Sequence, residues 1–487
     1  MTTTQFIQLI IERFGFTPTG DQHGALNCFA RFLACRDTHP MMVMRGSAGT
    51  GKTSLVAAMV QTLLALHQKV VLMAPTGRAA KVLALNSDYP ATTIHRKIYR
   101  EKTIGGEFSL DFNSHKDTLF IVDEASMIAT YSASDSGFGS GNLLDDVIQY
   151  VYGGQNCRMM LIGDAAQLPP VGEDEAPALM SEVLYGYGVT LFECGLHEVL
   201  RQSAESGILW NATVIRHLIT HDAATELPKI RFHGFADICV MPGNELIESL
   251  ANSYSRCGLD DTTVITRSNK RATIYNNGIR NSVLDHEDIL TSGDQLMVVK
   301  NNYYWTAPKG EDRLKAKLPD NAPTFIANGD RAIVKRVRKH RELYGFHFVD
   351  VLLQFPDYDD YEMEVIAMTD TLQTDAPALT REQSEALFNA VAEDYTDIRT
   401  KPERLKAIRE NQYFNALQIK YAYAVTCHKA QGGQWSHVYV DQGYMTDDML
   451  TPDYIHWLYT AFTRATVHLY LVNWPKQQTL TPALSRC

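Results

Sequence analysis

Gly46-Ser47-Ala48-Gly49-Thr50-Gly51-Lys52-Thr53 is the stretch that decides how this chain is read. It fits the pattern G-x-x-x-x-G-K-S/T, whose glycines let the backbone bend until several N–H groups point at phosphate oxygens. Lys52 adds a point charge for the outer phosphates, and the Thr53 hydroxyl is suited to ligating Mg2+. The surroundings agree. Met41 to Met44 is an apolar run that reads as a buried strand, and Ser54 to His67 carries apolar residues on most faces, as an interior helix does. A glycine-rich bend between such a strand and a helix N-terminus is an anion site. Gly46, Ser47, Ala48, Gly49, Thr50, Gly51, Lys52, Thr53 and Ser54 are therefore expected to hold a nucleoside triphosphate.

Outward from that loop, short apolar runs alternate with polar or helical stretches. Val70 to Ala74, Leu119 to Val122 and Met159 to Ile162 each end in Gly, Pro or acidic residues, the rhythm of a parallel sheet with crossover helices. A second α/β region begins near Thr262 to Thr266, resumes at Val438 to Val440 and closes with His468 to Val472. Between its two parts the texture changes. Asp330 to Met368 alternates strands with basic residues, and Ala378 to Leu417 reads as charged helix, so this stretch is expected to be an inserted β-module with a helical elaboration. Thr130 to Gly141, rich in Ser, Gly and Asp, reads as a mobile loop.

At 487 residues and 45% apolar composition the chain has room for about three globular domains. It has no run of eighteen apolar residues, and its first sixteen residues lack a basic start followed by an apolar signal core, so neither a membrane partner nor export is expected. Eight scattered cysteines without a C-x-x-C pair argue against a zinc or iron–sulfur site and for reduced thiols in the cytoplasm. A net charge of −11 runs against nucleic-acid binding unless a basic channel lies inside an acidic exterior.

Asp123-Glu124 follows the apolar run Leu119 to Val122. An acid at a strand end can hold hydrated Mg2+, and its neighbour can take a proton from an attacking water, so Asp123 is the metal candidate beside Thr53 and Glu124 the base. Gln167, in Gly163-Asp164-Ala165-Ala166-Gln167-Leu168-Pro169-Pro170, is a neutral amide able to hydrogen-bond a γ-phosphate or that water. Tyr99 to Phe112 reads as a hairpin turning at Gly105-Gly106, either an ordinary surface hairpin or a finger presenting Ile104 or Phe108. Nothing local singles out Arg201, Arg464 or Gln22.

In order along the chain, Gly46 to Thr53, Ala74 to Ala80, Thr93-Ile94-His95, Asp123 to Ser126, Gly163 to Pro170, Leu200-Arg201-Gln202, Thr426 to Gly432 and Leu458 to Ala465 resemble the successive motifs of superfamily 1 helicases. Their wording is most similar to the RecD and Dda branch, which moves 5′→3′ along single-stranded DNA, and the resemblance spans Gln22 to about Val472. It implies two RecA-like domains, the first at 1–205 with a hairpin insertion at about 96–117. The second would occupy 206–295 and 419–487, with an SH3-like module plus helices at 296–418. It further implies that Gln22 reads the adenine edge, that Gly432 belongs to the nucleotide site, and that Arg201 and Arg464 reach the γ-phosphate across the cleft. Pro75, Thr76, His95, Thr426 and His428 fall where the family touches DNA, and Phe108 lies in the hairpin where this branch carries its strand-separating pin. The implied partners are single-stranded DNA and duplex junctions, with repair or replication proteins as further ones, and a monomer is expected. The alternatives are a motor subunit of a recombination nuclease complex and an ATPase that clamps nucleic acid without unwinding it. The shortness of the chain before Gln22 favours a stand-alone enzyme.

Overall fold

The computed structural model describes residues 1–103, 107–131, 139–198, 205–221, 226–306, 323 and 325–480. Arg201, the Gly105-Gly106 turn with Ile104, and most of the Ser/Gly/Asp-rich stretch after Thr130 lie outside the described residues.

Helices α1 (Thr3–Phe14) and α2 (Gly20–Ala34) each start on a threonine whose side chain accepts from the third helical amide, with a glutamine returning the bond. They lead into β1 (Pro40–Gly46), whose apolar residues are fully buried, and through the phosphate-loop sequence into α3 (Lys52–Ala65). The chain then lays down β2 (Lys69–Ala74), α4 (Gly77–Ser87), β3 (Ala91–Thr93) and α5 (Ile94–Ile98). A two-stranded excursion follows, β4 (Tyr99–Thr103) against β5 (Glu107–Leu110), before the sheet resumes. It is completed by β6 (Thr118–Val122), α6 (Leu143–Tyr152), β7 (Arg158–Gly163), α7 (Ser181–Tyr185) and β8 (Thr190–Leu196). The six strands run parallel in the order β3-β2-β6-β7-β1-β8, with apolar cores on both faces. Because the strands share one direction, the phosphate loop after β1 and the turns after β2, β3, β6 and β7 all emerge at one edge.

The second sheet begins earlier than the run Thr262 to Thr266. Helix α8 (Gly207–Thr220) and edge strand β9 (Ile238–Met241) come first, then α9 (Leu246–Cys257), β10 (Thr262–Thr266) and α10 (Asn269–Ser282). β9 has four residues, two of them only partly covered, so its hydrophobic signal is weak. After the insertion come β16 (Ala424–Thr426), α13 (Cys427–Ala430), β17 (Trp435–Asp441), α14 (Pro452–Phe462) and β18 (Ala465–Val472), giving the parallel order β16-β10-β17-β18-β9.

The insertion is a closed barrel of β11 (Gln295–Val298), β12 (Arg331–Leu343), β13 (Phe346–Phe355), β14 (Tyr361–Met368) and β15 (Leu417–Tyr421). Its helical elaboration, α11 (Arg381–Glu393) and α12 (Lys401–Arg409), packs Leu387, Val391 and Ile408 on Phe346, Phe348, Ile366 and Met368 of the barrel wall. Two kinds of joint hold this module. Toward the second sheet, buried Asp294 accepts from Arg280 Nε and Nη2 at 2.9 Å, from Tyr423 at 2.8 Å and from the Thr291 amide at 2.7 Å. Toward the first sheet, Lys81 Nζ donates to Pro356 O at 2.5 Å, Asp330 and Tyr358 lie against Gly77, and Phe325 packs in the first sheet's apolar core beside Tyr303 and Ala327. The architecture is thus α/β with two RecA-like parallel sheets, a hairpin in the first and a barrel in the second. Among the described residues no helix is long and apolar enough to cross a membrane.

Candidate nucleotide and nucleic-acid sites

The phosphate loop has the backbone its sequence demands. Gly49 and Gly51 stand at φ +78° and +72°, where a side chain would be strained. Lys52 Nζ donates to Gly46 O at 3.1 Å and the Thr50 hydroxyl to Ser47 O at 2.8 Å, so the loop closes on itself. Gln22 is 1% exposed; its Oε1 accepts from the Thr19 amide at 3.0 Å and its Nε2 donates to Thr50 O at 2.8 Å. Its observed work is therefore to brace the loop. The capping-box spacing of Thr19 and Gln22 was the sequence signal for half of that role.

Asp123, Glu124 and Asp164 stand at the ends of neighbouring strands β6 and β7, with Asp123 and Asp164 within electrostatic reach of Lys52 and of Glu124. Burial, and then the charge of Glu124, push the Asp123 carboxyl up to about 6, with Lys52 pulling the other way. Burial likewise raises Asp164. Glu124 takes φ +52°, and its Oε2 is buried with no hydrogen-bond partner among the described residues, as is Oε1 of Gln167. Buried oxygens left unpaired in this way fit a site that a ligand completes. The Thr53 hydroxyl and the Asp123 carboxylate are the hard oxygen donors that a Mg2+ ion takes.

The second sheet supplies the far wall. Tyr459, on α14 and 1% exposed, donates to Asp164 Oδ2 at 2.5 Å and accepts from the Ala48 amide of the phosphate loop at 3.1 Å. The loop after β7 is held from the same helix: the Leu168 amide donates to Thr460 Oγ1 at 2.7 Å, and His456 Nδ1 lies 2.9 Å from Ala166 O. Gln431 Nε2 donates to Leu168 O at 2.6 Å. From α8, Arg216 Nη1 donates to the Ser47 hydroxyl. Arg464 points elsewhere. It is 3% exposed, with Nε donating to Thr460 O and Nη1 to Gly433 O, both at 3.1 Å within its own domain. Sequence reasoning passed over Tyr459, Asp164 and Arg216. Asp164 carried a signal, an acid closing a buried strand just as Asp123 does; the other two are ordinary helix residues until the domains meet.

The candidate DNA residues lie apart from this cleft. Pro75, Thr76 and His95 follow β2 and β3 on the edge side of the first sheet, and Thr426 ends β16 with His428 just after it at the edge of the second. The two edges adjoin, for a Cβ on Gly432 (φ +70°) would stand 3.0 Å from Ala79 Cβ and 3.3 Å from Thr76 Oγ1. Gly432 is thus placed against these residues. Arg78 spans the same junction, stacked 4.0 Å over Trp435. Burial holds the His95 imidazole down to about 4 and lowers His428, so both are neutral at neutral pH.

Phe108 is not a finger tip. It is the second residue of β5, paired with Glu101, and its ring centroid lies 4.6 Å from Tyr303 and 6.2 Å from Phe325 of the inserted module. Phe325 also lies 6.2 Å from His95. The aromatic that the sequence offered to solvent instead fastens the second strand of the hairpin to the module.

The family described as an AAA domain matches residues 29–236, and the UvrD-like helicase C-terminal domain matches 421–472. An uncharacterised protein of Acanthamoeba polyphaga mimivirus is 22% identical over 89% of this chain and 95% of its own length. The ATP-dependent RecD2 DNA helicase of Deinococcus radiodurans is 28% identical over 37% of this chain and 22% of its own length. Among solved structures, a Pif1 helicase from Bacteroides in complex with ADP-AlF3 and ssDNA covers 96% of this chain and 95% of its own, with TM-score 0.46 and 14% identity. The Candida albicans Pif1 helicase covers 96% and 97%, with TM-score 0.42 and 14% identity.

Proposed function

We propose, for a chain that belongs to the superfamily 1 helicases of the RecD type, a DNA-stimulated ATP-driven motor that moves 5′→3′ on single-stranded DNA and unwinds duplex. It is an ATP-hydrolysing enzyme of the helicase class, and the finer reading rests on where its two candidate sites lie. The observation that carries it is the Ala48–Tyr459–Asp164 chain of hydrogen bonds, which makes the phosphate loop and the second domain answer to each other.

The loop amides and Lys52 hold the phosphates of ATP. Thr53 and Asp123 would hold Mg2+, which would supply charge neutralisation for phosphoryl transfer. Glu124 accepts a proton from the attacking water, and Gln167 orients that water. Arg201 and Arg464 are the proposed arginines of the γ-phosphate; for Arg464 that role requires leaving the carbonyls of Thr460 and Gly433. Hydrolysis removes the shared anion, and the grip between domains relaxes. Pro75, Thr76, His95, Thr426 and His428, at the two adjoining sheet edges, then change spacing along a bound strand. Backbone contacts at those edges make the motion tolerant of sequence.

Strand displacement on duplexes carrying a 5′ or a 3′ single-stranded tail tests the reading. Displacement confined to the 5′-tailed duplex is expected. ATP hydrolysis without displacement of either substrate would replace the motor with a clamp, and displacement confined to the 3′ tail would reverse the polarity.

A further inference from the structure

Arg464, the arginine that the motif order assigns to the γ-phosphate, spends its guanidinium on carbonyls of its own domain. Among the described residues, the guanidinium that crosses to the phosphate loop belongs to Arg216. Its helix, α8, is part of the second domain, since Ile208, Ala212 and Ile215 pack in one core with Tyr454, Leu458 and Phe462 of α14. From there Nη1 reaches the Ser47 hydroxyl, and the positive charge acts on the Tyr459 phenol that bonds the Ala48 amide. A partly covered arginine on a domain face pairs with a carboxylate or keeps its donors in water. Among the described residues Arg216 has no such ion pair, and its one side-chain hydrogen bond uses one of five N–H donors. A guanidinium without a carboxylate, beside a loop built to hold phosphate, is matched by an anion carrying several oxygens.

We propose that Arg216 contacts the outer phosphates of the bound nucleotide from the second domain, a contact that tightens as negative charge gathers there during hydrolysis. This rests on the reading of the cleft as an ATP-hydrolysing site. It assigns α8, which carries none of the recognised motifs, a direct part in sensing the nucleotide. Ser47 holds the guanidinium near the loop, and the fork geometry allows the remaining donors to meet phosphate oxygens without moving the helix.

The test compares wild type with Arg216→Ala and Arg216→Lys in three measurements: steady-state ATP hydrolysis with single-stranded DNA, ADP affinity, and affinity for ADP with aluminium fluoride, a mimic of the transferring phosphoryl group. Arg216→Ala is expected to lower kcat by about 10²-fold or more, a threshold set below the roughly 10³–10⁵-fold of an arginine finger. Its ADP affinity should stay within about threefold of wild type, while the extra affinity conferred by aluminium fluoride disappears. Arg216→Lys, which keeps the charge and loses the fork, should recover part of the rate. A kcat within about threefold of wild type in Arg216→Ala overturns the proposal, as does an ADP affinity that falls as far as the rate. If the alanine variant fails to fold, the lysine variant decides by the same fluoride comparison: undiminished preference for the mimic overturns the assignment. A wild-type protein that hydrolyses no ATP would instead overturn the functional reading beneath it.

Discussion

Replacing Tyr459 with Phe removes one oxygen from the centre of the cleft and leaves the ring to fill the same space. Two bonds go with it, the 2.5 Å bond donated to buried Asp164 and the 3.1 Å bond accepted from Ala48 N–H. A hydrogen bond to a charged group contributes about 1.5–3 kcal/mol and a neutral one about 0.5–1.5 kcal/mol, so the nucleotide-free protein should lose about 2–4.5 kcal/mol of coupling between its domains. The nucleotide-bound protein should lose less. If a phosphate oxygen takes the Ala48 amide, only the bond to Asp164 is missing in that state. The difference, one neutral hydrogen bond, returns as binding free energy, and ADP should bind the Phe variant about 2- to 10-fold more tightly than wild type. Calorimetric titration with ADP measures this directly, and thermal unfolding with and without ADP should show a larger destabilisation without it. An unchanged or weaker ADP affinity in Tyr459→Phe would refute the argument that phenol and phosphate share one amide.

Three further outcomes are expected. Glu124→Gln should bind ATP and hydrolyse it at least about 10²-fold more slowly, whereas Lys52→Ala should weaken binding itself; near-normal turnover in Glu124→Gln, measured with single-stranded DNA, would remove Glu124 as the base. Asp123, with its carboxyl at about 6 in the folded chain against a lower unfolded value, takes up a proton on folding between those two values. Its contribution to stability is present at low pH and is lost as pH rises through about 6, while metal binding needs the ionised form. Affinity for Mg2+–ADP should therefore fall as pH drops from 7.5 to 5.5, and Asp123→Asn should flatten that part of the profile; an equally steep profile in the variant would locate the titration elsewhere. Phe108→Ala, which removes the ring packed on Tyr303 and Phe325, should impair strand separation more than ATP hydrolysis on single-stranded DNA. Equal losses of the two activities would make the contact purely structural.

The nucleotide half of the cleft was legible because its information is local. A glycine pattern, an acid after each buried strand and the apolar runs Met41 to Met44 and Leu119 to Val122 are all read within a few residues. The parallel sheets and the inserted barrel followed from the same periodicities. What failed to show was the work of residues across long sequence separations. Tyr459 lies more than four hundred positions from Ala48, and no period in α14 distinguishes it from its buried neighbours. Phe108 read as exposed because two β arms and a glycine turn say nothing about Tyr303 and Phe325, which arrive from another domain. Gln22 and Arg464 show the converse. Each sits where its motif belongs, yet the bonds each makes are internal, a matter of packing that no motif states.

The two joints of the barrel differ in kind, and that difference fixes where relative motion is taken up. Toward the second sheet, a carboxylate fully out of water is held by a guanidinium, a phenol and an amide; pulling these apart would strand a charge in a dry interior, at several kcal/mol. Toward the first sheet, a lysine on a carbonyl and apolar rings packed against its core involve no buried charge, so one ring contact can be exchanged for another at little cost. A shift between the domains would therefore carry the barrel with the second and be taken up at α4 and the hairpin. The aromatic rings at that boundary then serve as a greased bearing, apolar enough to stay together and non-directional enough to slide.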